Sequence, residues 1–212
     1  MTVNRWRMLR KLSIAAAVIG LVFGGVGCAE SASSSSQQAQ TPQKKRYFPP
    51  SEFKDSTYDS ILISSFEKHL ANLGEPVLYD QLGVHYAVRV TWMTPFYGDA
   101  VLRIEDSGDR ISFTYKRRPS VAAPDTKKNI DLRGELTRAV FGKLISEIQR
   151  EDFFSVTNQQ NVIATDGTIW LLEVHDGSRY HAVYRIGPFS TPVQNIGRLA
   201  ASLTNISIKD LE

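Results

Sequence analysis

Three stretches of strict two-residue alternation, joined by short turns, constrain this chain more than any other feature. In the first, Tyr86, Val88, Val90 and Trp92 point one way while Ala87, Arg89 and Thr91 point the other. Pro95 to Gly98 make a turn. Ala100, Leu102 and Ile104 then alternate with Val101, Arg103 and Glu105. Asp106-Ser107-Gly108-Asp109 reads as a hairpin loop with glycine available for positive φ. Ile111, Phe113 and Tyr115 alternate with Ser112, Thr114 and Lys116 in the third stretch. Strands this close in sequence pair antiparallel, because parallel neighbours need a long crossover.

Around this meander the period changes. Tyr58, Leu62, Phe66 and Leu70 recur every four residues, with Ile61 and Leu73 beside them, and Gly74 and Pro76 close the run. That is a helical stripe. Residues 117–128 hold two prolines and no period, so they read as a loop, with a short strand near Ile130–Leu132 after it. Thr137 reads as a helix N-cap ahead of Val140, Phe141, Leu144, Ile145 and Ile148. Trp170, Leu172 and Val174 alternate, Asp176-Gly177 signals a hairpin, and Tyr180, Ala182, Tyr184 and Ile186 return. Thr191-Pro192 caps a last helix carrying Val193, Ile196, Leu199, Ala200 and Leu203. The expected class is α+β: a mainly antiparallel sheet with about three helices packed on one of its faces, in a single domain over 51–212. An open edge of such a sheet is a place where a second copy can pair.

The N-terminus reads as an address. Arg5, Arg7, Arg10 and Lys11 precede an apolar run from Leu12 to Gly27, and small residues crowd around Cys28. Residues 1–27 have the layout of a signal peptide, and the run is shorter than the roughly 20 residues that span a bilayer comfortably. The whole chain holds 25 Lys and Arg against 22 Asp and Glu. Without the four basic residues of the leader, 21 face 22, a net charge of −1. The basicity belongs to the leader, so the balance gives no support to a nucleic-acid partner. One cysteine makes no intrachain disulfide and no Cys-based zinc site.

Cys28 is that single cysteine. Gly25-Val26-Gly27-Cys28 resembles the lipobox of bacterial lipoproteins, in which the cysteine is lipidated and begins the mature chain. Gly25 stands where leucine is usual. The alternative is ordinary cleavage after Ala29, which would make the protein secreted and soluble. Lipidation would anchor it in the cell envelope, at the outer membrane if the host has one, since Ala29 is no inner-membrane retention signal. Residues 28–50, rich in Ser, Gln, Ala and Pro, read as a lipidation site and a disordered linker. As a coil, 29–50 would span roughly 25 Å, and extended about 70 Å.

Three stretches together resemble a group of uncharacterised bacterial secreted proteins and lipoproteins. They are Arg89-Val90-Thr91-Trp92 through Pro95-Phe96 with Val101–Glu105, the run Glu151-Asp152-Phe153-Phe154, and Asp166-Gly167-Thr168-Ile169-Trp170-Leu171-Leu172-Glu173 followed by Arg179-Tyr180-His181. The last carries the group's D-G-x-x-W-x-L-E, hairpin, R/K-Y-H signature. The resemblance spans about 85–205. Past the histidine, Arg185-Ile186-Gly187-Pro188 replaces the Arg-Trp-Ser-Pro common in the group. The resemblance implies an exported domain and brings no activity or cofactor with it.

The densest reactive set lies on the 170–186 hairpin: Glu173, His175, Asp176, Arg179, His181 and Arg185. Glu173, His175 and His181 are the candidate metal ligands, since His and carboxylate suit zinc and other transition metals. Their convergence depends on the turn. A two-residue turn at Asp176-Gly177 sets His181 on the face of Trp170, Leu172 and Val183, away from Glu173; a three-residue loop brings it to the Glu173 face. In the plainer reading Glu173 meets a basic group or a backbone donor, and His181 packs its ring while one nitrogen hydrogen-bonds. Lys116, Arg117 and Arg118, with Lys127-Lys128 across the loop, are candidates for binding an anionic polymer. Trp92, Phe96 and Tyr97 form a candidate aromatic patch, with Trp92 in phase with the core; His69 and His85 read as surface residues. G-x-S-x-G, Walker and G-x-G-x-x-G patterns do not occur. The expectation is a non-catalytic, membrane-tethered envelope protein without a cofactor, binding another envelope protein or polymer. The alternative is a metal-binding protein or metal-assisted hydrolase centred on the hairpin.

Overall fold

The computed structural model describes residues 46–53, 57–81, 83–94, 98–119, 128–158, 167–187 and 190–209, with the backbone alone at 57 and 58. The elements are α1 (Thr57–Asn72), β1 (Tyr86–Thr94), β2 (Gly98–Asp106), β3 (Ile111–Arg118), β4 (Ile130–Leu136), α2 (Arg138–Arg150), β5 (Ile169–His175), β6 (Tyr180–Ile186) and α3 (Pro192–Leu203). The strands form one antiparallel sheet in the order β4-β3-β2-β1-β5-β6. The chain is α+β, as its alternations require.

The helices lie on both faces of the sheet, not on one. Val88, Val90 and Trp92 of β1 join Trp170, Leu172 and Val174 of β5 in a core with Phe141, Leu144 and Ile148 of α2 and Val193, Ile196 and Ala200 of α3. Met93, Val101, Leu171, Ala182, Tyr184 and Ile186 point the other way, against Leu62, Phe66 and Leu70 of α1. The reason is written in consecutive apolar pairs. Val101-Leu102 and Leu171-Leu172 put an apolar side chain on each face of a central strand, and both must be covered. Ile61, placed beside the stripe of α1, is 60% exposed, whereas Leu62, Phe66, Leu70 and Leu73 are buried. Tyr58 lies outside the described side chains.

The packed body also starts earlier than Ser51. Phe48 and Phe53 are buried in the α1-side core, their rings edge to face at 5.3 Å. The Tyr47 amide donates to Glu67 Oε1 at 3.1 Å, and its hydroxyl to the Glu75 carbonyl at 3.0 Å. The segment 46–53 is therefore a strap on the domain and not the end of a linker. Two bulky aromatic rings flanking Pro49-Pro50 outweigh the polar composition that precedes them.

β4 is longer than the sequence suggests, running through Gly134 to Leu136. A glycine usually weakens a strand, but the Phe113 ring fills the space beside this one: a Cβ on Gly134 would lie 2.4 Å from the ring's Cε1. Thr137 and Thr191 cap α2 and α3 as expected, each accepting from the backbone N–H three residues on.

Candidate functional site

The densest group of ionisable side chains lies between the sheet and the C-terminal end of α1. Arg89, at the centre of β1, has Ala87 and Thr91 as its same-face neighbours, so small side chains leave room for a guanidinium to lie over the sheet. Arg89 is paired across the sheet with Glu173 on one side and Arg103 on the other. Two opposed arginines would repel. Glu75, from the turn after α1, enters between them: Arg103 Nε donates to its Oε2 at 2.8 Å, and Arg89 Nη1 is 3.8 Å away. Lys116 of β3 reaches the other oxygen at 2.9 Å. Arg89 Nε and Nη2 donate to Glu173 Oε2 and Oε1, each at 2.6 Å, a bidentate pair. Tyr180 donates its hydroxyl to the same Glu173 Oε1 at 2.7 Å. Glu105 pairs with Arg103 and accepts from Gln81 Nε2 at 2.7 Å. Three cations thus alternate with three carboxylates.

The cluster also fastens the helix. Arg89 Nη1 donates to the Pro76 carbonyl at 2.6 Å, and Lys116 Nζ to the carbonyls of Leu73 and Gly74 at 2.8 and 3.1 Å. These last carbonyls stand at the negative end of α1, where a cation is favoured. Gly74 takes the left-handed conformation that ends the helix (φ +62), and the Glu75 amide returns to the Leu70 carbonyl at 2.9 Å. Electrostatics follow from the packing. Burial pushes the Glu75 carboxyl up, but Arg103, Lys116 and Arg89 together hold it below the usual carboxylate range. Burial depresses the Arg89 guanidinium, and Glu173 more than restores it, so it stays charged. Burial, then the Glu173 charge, pushes the Tyr180 phenol far up. Arg89, Glu173 and Glu75 are sealed from solvent and every carboxylate of the set faces a cation. The arrangement suits a clamp rather than a place where a substrate meets a free acid or base.

The 170–186 hairpin separates the candidate metal ligands. Val174 pairs with His181 and His175 with Tyr180, with Gly177-Ser178 as the two central turn residues. Gly177 has φ +85, which glycine alone adopts cheaply. The turn sits one residue later than the Asp176-Gly177 placement, which moves the register by two and leaves the faces unchanged. Glu173 and His175 lie on the α1 face, and His181 on the other. Glu173 is held by Arg89 and Tyr180, so it does meet a basic group. Among the described residues, no three His, Cys, Asp or Glu side chains are grouped to hold a metal ion.

His181 sits at the outer rim of β6. Its ring lies 5.2 Å from that of Phe153 and 6.3 Å from that of Phe154, which it stacks on. Nε2 is 2.7 Å from the Val156 carbonyl, and Nδ1 pairs with Glu52 of the strap. Both nitrogens are engaged where the sequence reading asked for one. Glu52 Oε1 also accepts the Ala182 amide at 2.5 Å. Asn158 completes the cover of this strand edge, accepting the Tyr184 amide at 2.9 Å and donating to the Ala182 carbonyl at 3.2 Å. Burial pulls the His181 pKa down, but the hydrogen bonds to Glu52 and Val156 and the Glu52 charge outweigh it, so it lies above the ordinary value. Asp176 turns inward on its own hairpin, accepting from Arg179 and Ser178, with its pKa brought down to about 2 by those bonds against the opposing pull of burial. Arg179 stacks over Phe154 at 3.9 Å, and Arg185 donates to the Thr157 carbonyl at 2.7 Å.

Strand alternation divides the basic run. Lys116 is buried in the clamp, Arg117 is buried on the opposite side of β3, and Arg118 donates to the carbonyls of Arg117 and Ile130 at 3.0 and 3.1 Å. Lys116 and Arg117 are therefore not part of a shared anion-binding surface, and Lys127 lies outside the described residues. Trp92 is core; Phe96, Tyr97 and Cys28 lie outside the described residues. His85 is exposed, and His69 pairs with Asp99. The sequence reading missed Glu75, Arg89, Arg103, Tyr180 and Glu52. One signal was available: an arginine in a strand whose neighbours are apolar on both faces must find a carboxylate. No protein-family model and no curated protein matches the chain.

Proposed function

We propose that this is an exported bacterial envelope protein, anchored by a lipid on Cys28, whose α+β domain binds another envelope protein and catalyses no reaction. The observation that carries the anchor is the placement of the single cysteine directly after a basic, then apolar, then small-residue leader. The non-catalytic reading rests on the clamp. Its acids and bases neutralise one another inside the protein, where a reacting group would have to stay unpaired and reachable. A protein partner is favoured over an anionic polymer because Lys116 and Arg117 are drawn into the fold. The hairpin geometry gives the metal-centred alternative no comparable support.

The test is the intact mass of the mature chain isolated from membranes, beside a Cys28→Ala control. The expected result is a lipid-sized increase on Cys28 that the control lacks. A mature chain of unmodified mass beginning near Glu30 would replace the anchored protein with a free secreted one.

A further inference from the structure

The two edges of the sheet are treated differently. At β6, side chains of Glu52 and Asn158 occupy the outward amides of Ala182 and Tyr184 and the Ala182 carbonyl. A strand cannot add there without displacing them. β4, the other edge of the described sheet, pairs with β3 residue for residue from Ile111↔Leu136 to Arg117↔Ile130, with no bulge. It contains no proline and no lysine, the usual devices against edge pairing. Leu132 at its middle is 48% exposed, one of two large apolar side chains so exposed among the described residues.

We infer that β4 is the seam of a homodimer, pairing antiparallel with β4 of a second copy about a two-fold axis at Leu132. The charge pattern and the exposed leucine together select this register. Asp131, Arg133 and Glu135 share one face of the strand, and Leu132 lies on the other. A two-fold centred on Asp131 opposes it to itself. One centred on Arg133 opposes two arginines and sets Asp131 against Glu135. Both are repulsive. Centred on Gly134, the pairing makes two Arg133–Glu135 pairs, but it seats two glycines at the axis and leaves the exposed Leu132 without its own counterpart there. Centred on Leu132, it puts Leu132 against Leu132 and makes two reciprocal Asp131–Arg133 pairs. Arg133 Nε already lies 3.7 Å from Asp131 of its own chain, so four charges would alternate across the seam. The alternating signs that would look like edge protection are self-complementary in this register.

The test uses the full chain, co-expressed in two differently tagged forms and solubilised from membranes, with capture of one form through the other. Wild type should co-capture. Asp131→Arg alone should not, since arginines meet across the seam, and Arg133→Asp alone should not, since aspartates meet. Asp131→Arg co-expressed with Arg133→Asp should recover capture, because each pair again joins opposite charges. Recovery is specific to the Leu132 register: centred on Gly134, Asp131→Arg alone would still pair and the mixture would not be rescued. Should Asp131→Arg fail to fold beside Lys116, Arg133→Asp decides alone, its side chain being 76% exposed. Absence of wild-type capture, or capture undiminished in Arg133→Asp with an unchanged melting curve, overturns the inference.

Discussion

Arg89 is the residue on which the α1 face turns. A buried guanidinium costs several kcal/mol of lost hydration, and only a carboxylate in bidentate contact offsets such a cost. Glu173 supplies it, with Glu75 and the Pro76 carbonyl taking the rest. The two partners are 84 residues apart in sequence and adjacent across β1 and β5. Removing Glu173 leaves Arg89 sealed from solvent without its bidentate partner, with Glu75 3.8 Å away as the nearest remaining carboxylate. Glu173→Ala is expected to lower unfolding stability by about 3–5 kcal/mol, measured by denaturant titration. Replacing both, as Arg89→Met with Glu173→Leu, should recover most of that loss, because no unpaired charge remains. A double variant as unstable as the single one would mean that the clamp's hydrogen bonds, and not charge pairing, hold α1 in place.

Among the elements, α3 shows how closely helix and sheet approach. Gly197 sits in its middle, and a Cβ there would lie 2.7 Å from Trp170 Cζ3 and 3.2 Å from Val90 Cγ1. Trp170 is itself buried, its ring 5.4 Å from Trp92 and edge-on to it, so making way for a methyl means repacking the core. Helix propensity alone would make Gly197→Ala stabilising by about 1 kcal/mol. Overpacking a core costs about 1–3 kcal/mol, and a Cβ inside contact distance of a buried ring outweighs the propensity gain. The variant should therefore melt lower than wild type; a higher melting temperature would show that the Trp170 layer yields. The elements themselves were legible where periodicity was strong. Leu62, Phe66 and Leu70, Thr137 and its helix, and the Trp170–Val174 alternation all stand where their spacing puts them. What was not legible were partners distant in sequence. Alternation put Arg89 on the face opposite Val88 and Val90, but it reports the phase of a side chain and not whether a second layer covers it. Lys116 looked like surface charge for the same reason. The missed layer was announced only by doubled apolar positions such as Leu171-Leu172, a signal weaker than any period.

At the scale of the whole molecule, the strap 46–53 joins what the sheet keeps apart. Phe48 and Phe53 pack on the α1 face, while Glu52 rounds the β6 edge to reach His181 on the other. The chain thus enters the fold across the edge that Asn158 also covers, and the Glu52–His181 pair closes that crossing. Its strength depends on the charge of His181. The Val156 carbonyl only accepts, so Nε2 must carry a proton, and a second proton on Nδ1 is what the Glu52 carboxylate favours. Burial opposes the charge, but Glu52 and Val156 prevail and the folded-state pKa lies above the ordinary value of 6.5. A raised pKa means that the folded form binds the proton more tightly than the unfolded chain. The pair's contribution is therefore complete below about pH 6.5 and is lost as pH rises through the higher folded value. Denaturant titrations of the full chain across this interval should show wild type losing stability relative to Glu52→Gln, whose amide keeps the reach of the side chain without its charge. Below the interval the gap between the two should be widest, and above it the gap should shrink to the difference in hydrogen bonding alone. A gap that stays constant with pH would mean that His181 is neutral in the folded protein, leaving packing and backbone hydrogen bonds to hold the strap.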